Sequence, residues 1–334
     1  MKRAVFVVLA LLVVGSMVFA GGSGQSGAKT KIGVSIATLR EERWVEDYNG
    51  FLEAAEKYNV EVIIQVADNN AARQQAQCEN LITMGVKALI VAPHDSEAAR
   101  QIVAMAHKEK TPIPVIAYDR PITGGGADLY IETDQVEIGR MMGRYIWNNV
   151  PSGNLVFIKG DAGDDTVYMM ADGTMEILKP RLDNGTYKMV AEQFAVDWEP
   201  ANAMRHMENA LTANGNNIQG VIAHNDGTAG GVIQALAAQG LAGRVPVTGQ
   251  DCEVDAVKRI IAGTQGMTIR YDNAGMADGA IQAALKLINK QNPGATGRGD
   301  DGTPVLGFAP TEINRDNYRR ILIDSGLYEA DAFN

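Results

Sequence analysis

From residue 31 onward the chain alternates short apolar runs with amphipathic stretches, the pattern of β-α-β units that build a parallel sheet with helices on both faces. Strands are predicted over residues 32–37, 61–67, 88–92, 115–118 and 129–132, and helices over 44–58, 71–84 and 96–108. The series then starts again: strands over 155–159, 188–194, 220–223 and 245–249 alternate with helices over 169–178, 200–213 and 228–238. No short solenoid-type repeat is present, so the duplication is architectural and each half is large enough to own a core. Between the halves, Thr133 and Asp134 precede a helical stretch over 135–148, where Asp134 suits an N-cap and a crossing point. Further crossings are expected near Tyr271 to Asn273, after a strand at 267–269, and near Gly307 to Thr311, ahead of a terminal helix at 317–325. The expectation is an α/β fold of two doubly wound parallel-sheet lobes joined by a three-segment hinge. One lobe takes residues 31–133 plus 272–306, the other 134–271 plus 307–334.

The length of 334 residues already exceeds what one core organises. With 46% apolar and 21% charged residues, the chain is far from disordered or collagen-like composition. Its first twenty residues change the picture: Lys2 and Arg3, an apolar stretch from Ala4 to Val14, and Val18-Phe19-Ala20 before Gly21 read as a signal peptide. Residues 21–30, Gly- and Ser-rich, read as a flexible linker. No cysteine stands at the cleavage site for a lipid anchor, so the exported protein is expected to be free in the periplasm. Loss of Lys2 and Arg3, in a segment without Asp or Glu, takes the formal charge from −10 to −12 and argues against nucleic acid as a partner. Cys78 and Cys252 read as buried small side chains. His94, His107, His206 and His224 are too scattered for a metal site, and the stretch from Asp161 to Asp165 lacks the Gly and Glu of a calcium loop, so neither metal nor cofactor is expected.

Open parallel α/β sheets bind ligands beyond the carboxyl ends of their strands. The loops there carry Leu39 to Trp44, Asp119-Arg120, Asp164-Asp165-Thr166, Trp198, Asn225-Asp226 and Gln250-Asp251. Asp, Asn and Arg supply paired acceptors and donors for adjacent hydroxyls, and Trp a flat apolar face, which together suit a neutral sugar. Two of the three Trp, Trp44 and Trp198, fall in such loops in opposite halves, whereas Trp147 reads as a packing aromatic. Each residue also has an ordinary structural use: ion pair or turn for Asp119-Arg120, helix N-cap for Asn225 and Asp251. Enzyme signatures are missing: the glycines from Gly227 to Gly231 fit no phosphate-binding spacing and instead suit close helix packing, and no nucleophile elbow occurs.

The stretches Glu42-Arg43-Trp44, Ile116 to Arg120, Met207 to Asn214, Gly230 to Leu236, Thr248 to Asp251 and Ala262 to Gln265 resemble the D-xylose-binding proteins of bacterial ABC importers, within the type I periplasmic sugar-binding family. The likeness runs from about Lys31 to the C-terminus. It implies that Arg43, Trp44, Asp119 and Arg120 contact a monosaccharide from the first lobe, and that Trp198, Asn225 and Asp251 do so from the second. At two positions the chain departs from the xylose-binding pattern, with Asp165 where Asn is usual and Tyr271 where Lys is usual; both enter the expected site. The resemblance implies a monomer that delivers its sugar, D-xylose or glucose, to the importer's permease subunits, with a chemoreceptor as a further partner of that class. A repressor's effector-sensing core shares this fold but lacks an export signal, and a sugar-transforming enzyme is the remaining alternative.

Overall fold

The computed structural model describes residues 28–329 and 331–333, so the expected signal peptide and most of the expected linker lie outside the described residues. The first lobe opens with β1 (Lys31–Ile36), α1 (Glu42–Lys57), β2 (Glu61–Val66), α2 (Ala71–Thr83), β3 (Ala88–Val91), α3 (Arg100–His107), β4 (Val115–Tyr118) and β5 (Leu129–Thr133). The chain then builds α4 (Gln135–Asn149), β6 (Gly153–Lys159), α5 (Thr166–Asp183), β7 (Tyr187–Phe194), α6 (Pro200–Ala213), β8 (Gly220–Ala223), α7 (Asp226–Ala238), α8 (Val254–Ala262) and β9 (Met267–Arg270). It closes with α9 (Asn273–Ile288), β10 (Gly297–Arg298), β11 (Pro304–Phe308), β12 (Thr311–Asn314) and one π-helical turn at Arg319–Ile323.

The first sheet runs in the order β10-β11-β5-β4-β3-β1-β2, parallel except for the β10–β11 pair. Its fully buried faces, Ile32, Val34 and Ile36 on one side and Leu89, Val91 and Val115 on the other, are covered by α1 with α9 and by α2 with α3. The second lobe repeats the plan: β7-β6-β8 is parallel, Val247 adds a single parallel bridge beside Val221, and β9 pairs antiparallel with β12. The strand expected at 245–249 is thus reduced to one bridge.

Helix packing on the second lobe depends on missing side chains. A Cβ on Gly139 would lie 2.0 Å from the Met170 carbonyl oxygen, and one on Gly173 2.0 Å from that of Val136, so α4 and α5 cross backbone to backbone. A Cβ on Gly231 would likewise lie 2.1 Å from Pro200 O, so α7 packs tightly on α6, the close packing its sequence suggested.

Three connections pass between the lobes. β5 ends at Thr133 in the first sheet, and α4 begins under an Asp134 cap and packs on α5. β9 belongs to the second lobe, while α9, two residues on, packs on α1. The third lies between β11 and β12, after Phe308 rather than after residue 306, because Gly307 and Phe308 still pair with Glu132 and Thr133. The helix expected at 96–108 begins only at Arg100, since Ser96 is drawn across the cleft: its N–H donates to Gly163 O at 2.9 Å and its hydroxyl accepts from Asp165 N at 3.1 Å. The expected terminal helix shrinks to the Arg319–Ile323 turn.

Candidate binding site between the lobes

The carboxyl ends of both sheets face each other across a cavity lined by Glu41, Arg43, Trp44, Asp119 and Arg120, with Gln135, Asp164, Thr166, Trp198, Asn225, Gln250, Asp251 and Tyr271 opposite. Eight of the nine expected site residues are in that lining. Asp165 is the exception. It adopts helical φ/ψ as the residue leading into α5, so its carboxylate turns to the rim and accepts from the Thr123 hydroxyl, while Asp164, one residue earlier, points inward.

On the first lobe, α1 begins just past β1, which puts Arg43 and Trp44 in its first turn at the cavity wall. Arg43 is buried and held from both sides: Nη1 donates to Asp119 Oδ1 at 2.7 Å and Nη2 to Asp47 Oδ2 at 2.9 Å. Tyr118 Oη donates to Asp47 Oδ1 at 2.6 Å, which fixes Asp47 in turn. The Arg43 guanidinium lies 4.2 Å from the Trp44 ring centre and 4.6 Å from that of Tyr271. Arg120 pairs across the cleft, with Nε 2.7 Å from Asp164 Oδ2, and its guanidinium stands 5.4 Å from the Trp44 ring and 6.0 Å from the Trp198 ring. The two indoles, one from each lobe, therefore face a common space.

Trp198 sits in a short 3-10 turn after β7, with left-handed backbone at both Asp197 (φ 55°) and Trp198 (φ 57°). Asp119 (φ 62°) and Asp251 (φ 99°) are also left-handed. Such conformations cost non-glycine residues about 1–3 kcal/mol each, and their concentration here marks loops shaped for binding rather than for stability. Asn225 caps α7 with its Oδ1, accepting from Thr228 N at 2.9 Å, and its Nδ2 donates to Asp251 Oδ2 at 3.3 Å. Its capping duty and its place in the lining are thus simultaneous. Tyr271 Oη donates to Gln250 Oε1 at 2.9 Å, so this phenol brings no charge to the wall.

Burial dominates the electrostatics. It pushes the Asp251 carboxyl up to about 8, opposed by Arg43 and reinforced by Glu253 and Glu41, so this group is largely a neutral acid at pH 7 and both donates and accepts. Burial raises Asp164 as well, against the pull of Arg120, and raises Asp47 to about 6 against that of Arg43. Burial works against the Arg43 cation, but Asp119 and Asp47 outweigh it, and its pKa lies above the usual Arg value. Behind Trp198, His224 is buried without a hydrogen-bond partner and held down to about 3 by burial and Lys159, so it packs as a neutral ring, edge-on to Phe157.

Among the described residues ten buried side-chain polar atoms lack a hydrogen-bond partner, and five of them line this one cavity: Glu41 Oε2, Arg43 Nε, Gln135 Oε1 and Trp198 Nε1, together with Asp164 Oδ2, which meets the Arg120 guanidinium as an ion pair but not in hydrogen-bond geometry. Buried polar atoms are nearly always satisfied, so such a concentration defines a surface built to hydrogen-bond something else. Its make-up, flat apolar faces with donors and acceptors at the edges, suits a small uncharged polyhydroxylated ring. Glu41, Gln135, Asp164, Thr166 and Gln250 also belong to this lining although none is among the nine expected site residues. Asp164 and Gln250 lie in strand-end loops, the signal that finds them; Gln135 opens α4 and carries none.

Cys78 and Cys252 are free and buried in separate clusters, the buried small side chains expected of them.

The fold and the cleft define a substrate-binding protein rather than an enzyme, and the chain belongs to the periplasmic-binding-protein family: the Periplasmic binding protein domain matches residues 32–292. Its relatives narrow this further. The D-xylose-binding periplasmic protein of Escherichia coli (strain K12) is 38% identical over 304 residues, covering 90% of this chain and 92% of that one. The protein of the same description from Haemophilus influenzae is 34% identical, covering 96% and 97%. Among solved structures, a carbohydrate transporter solute binding protein from Chloroflexus aurantiacus in complex with D-glucose superposes with a TM-score of 0.84 at 29% identity, covering 91% of this chain and 99% of that one. An ABC transporter solute binding protein from Clostridium phytofermentans with bound β-D-glucose gives 0.83 at 29%, covering 91% and 100%.

Proposed function

We propose that this protein captures a single aldose, D-xylose with D-glucose as its nearest competitor, between its lobes and delivers it to the permease of an ABC importer. The observation that carries the reading is the meeting of Trp44 and Trp198, from opposite lobes, around a cavity edged by unpartnered buried polar atoms. In this reading the indoles cover the C–H faces of the ring. Asp119, Asp164 and Asp251 accept from its hydroxyls, Arg43, Arg120 and Asn225 donate to them, and Tyr271 closes the wall. Asp165 has no part in it.

The ligand touches both lobes only when they meet, so its binding free energy favours the closed arrangement and shifts the population toward it. The three connections after Thr133, around Tyr271 and after Phe308 act as the hinge. Export through cleavage after Ala20 and release into the periplasm belong to the same proposal. The likeness to D-xylose-binding and glucose-bound proteins supports the choice of sugar class.

The test is a thermal-shift and calorimetric panel of pentoses and hexoses, since a ligand that binds the folded state raises the melting temperature by mass action. D-xylose and D-glucose are expected to raise it most, with the sugar recovered unchanged. A panel in which no aldose shifts melting, or in which product accumulates, would overturn the proposal; a stronger response to ribose or arabinose would overturn the choice of sugar alone.

A further inference from the structure

We propose that Arg40 is a positioning residue that couples the meeting of the lobes to the seating of Trp198, and so sets sugar affinity without touching sugar. The inference rests on the sugar-binding reading above. Arg40 lies in the loop between β1 and α1, outside the cavity lining. Its side chain crosses to the other lobe: Nη1 donates to Glu199 Oε2 at 2.9 Å, and Nη2 donates to the carbonyl oxygen of Asp197. Those two partners flank Trp198 in sequence, so one guanidinium clasps the turn that carries the indole from both sides. On its own side Arg40 is oriented by Glu41, to which Nε donates at 3.1 Å.

The turn is one that needs holding. Asp197 and Trp198 are consecutive left-handed residues, a pairing that L residues adopt only when neighbours enforce it. Within its own lobe the turn is held by Asp197 N donating to Asp161 Oδ2 at 2.6 Å and by Trp198 N donating to Ala195 O at 2.9 Å. From the opposite lobe come Arg40 and a longer approach, His94 Nε2 at 3.8 Å from Asp197 Oδ1. Val254 N donating to Glu42 Oε2 at 2.8 Å bears on a segment without a stacking ring, and Arg120, which stands 6.0 Å from the Trp198 ring, does so from within the cavity lining and bonds no atom of the turn. Arg40 is therefore the principal contact whose formation both stabilises closure and fixes an aromatic face. A planar fork reaching a carboxylate and a carbonyl at once is a geometry that Lys cannot reproduce.

A residue that acts on the open–closed equilibrium changes the affinity of every sugar by one common factor, because it contributes equally to all closed complexes. Arg40→Ala should weaken binding of xylose and glucose alike, by about three- to tenfold for a partly exposed charge-assisted contact. The loss should fall mainly in a faster off-rate, with melting of the unliganded protein unchanged. Arg40→Lys should recover part of the loss, and Glu199→Gln should reproduce part of it. Arg144→Ala, which breaks an exposed ion pair within α4, is the control and should change nothing. The measurement is titration and stopped-flow displacement on the full chain with both sugars. Equal affinities for Arg40→Ala and the unaltered protein would overturn the inference, as would a loss that differs between the two sugars, which would make Arg40 a sugar contact. If the unaltered protein binds neither sugar, it is the sugar-binding reading that fails, and this inference goes with it.

Discussion

Gly160 offers a direct way to ask whether the Trp198 ring is part of the site. It follows β6 against the Trp198 ring, and a Cβ placed on it would stand 2.2 Å from both Cη2 and Cζ2 of the indole and 2.4 Å from Cε2. Carbon atoms in van der Waals contact sit about 3.5–4.0 Å apart, so Gly160→Ala requires the ring to retreat by roughly 1.3 Å or more. Gly160 does not use the left-handed backbone region, which leaves the added methyl as the whole perturbation. Overpacking of this kind costs about 1–3 kcal/mol, and loss of a stacked aromatic face about 0.5–1.5 kcal/mol beyond its area. If the ring yields toward the cavity, a combined loss near 2 kcal/mol weakens sugar binding by about thirtyfold. Titration calorimetry on Gly160→Ala, Trp198→Ala and the double variant forms a cycle. With the ring already removed, the methyl should cost almost nothing further. Wild-type affinity in Gly160→Ala, or losses that simply add in the double variant, would refute the assignment of Trp198 to the sugar.

The buried acids predict a pH dependence of opposite sign to that of an ordinary ion-paired carboxylate. Asp251 and Glu253 are raised to about 8, Asp226 and Glu132 to about 7 and Asp47 to about 6, burial being the leading cause for each, so between pH 4 and 8 these five groups hold more protons in the folded chain than in the unfolded one and outnumber His224, whose lowered value acts the other way in the acid part of that window. Stability of the unliganded protein should therefore decline as pH rises through that window. Asp251→Asn should flatten the decline in a melting series from pH 4.5 to 8.5, and a profile that rises with pH would contradict the burial of these groups. For the helix crossing, Gly173→Ala sets a methyl 2.0 Å from the Val136 carbonyl oxygen and should destabilise by about 2 kcal/mol or more, read by urea unfolding; an unchanged midpoint would mean that α4 and α5 can separate freely.

Much of this architecture is legible in the sequence because its information is local. The apolar runs of β1 to β8 are bounded by turn residues, and their ends announce the loops that carry Trp44, Asp119, Trp198, Asn225 and Asp251. What escapes has non-local causes. Asp164 and Asp165 are identical in type, and only the point at which α5 takes over the backbone decides which faces the cavity. The 245–249 run meets its neighbour at a single backbone bridge, and at the next position the Thr248 hydroxyl takes the Ala223 N–H at 3.0 Å. The return of residues 272–306 to the first lobe is anticipated, but the helix α9 and the strand β11 that make it are not resolved by the pattern.

That return has a consequence for synthesis. The strand that lies against β5 is residues 304–308 of a chain of 334, so the first lobe to leave the ribosome cannot finish its sheet until nearly the whole polypeptide has been made. Pairings of such long sequence separation form slowly. Until residues 304–308 emerge, β5 of the nascent N-terminal half has no strand on one side, and its sheet waits on the tail for its last two strands.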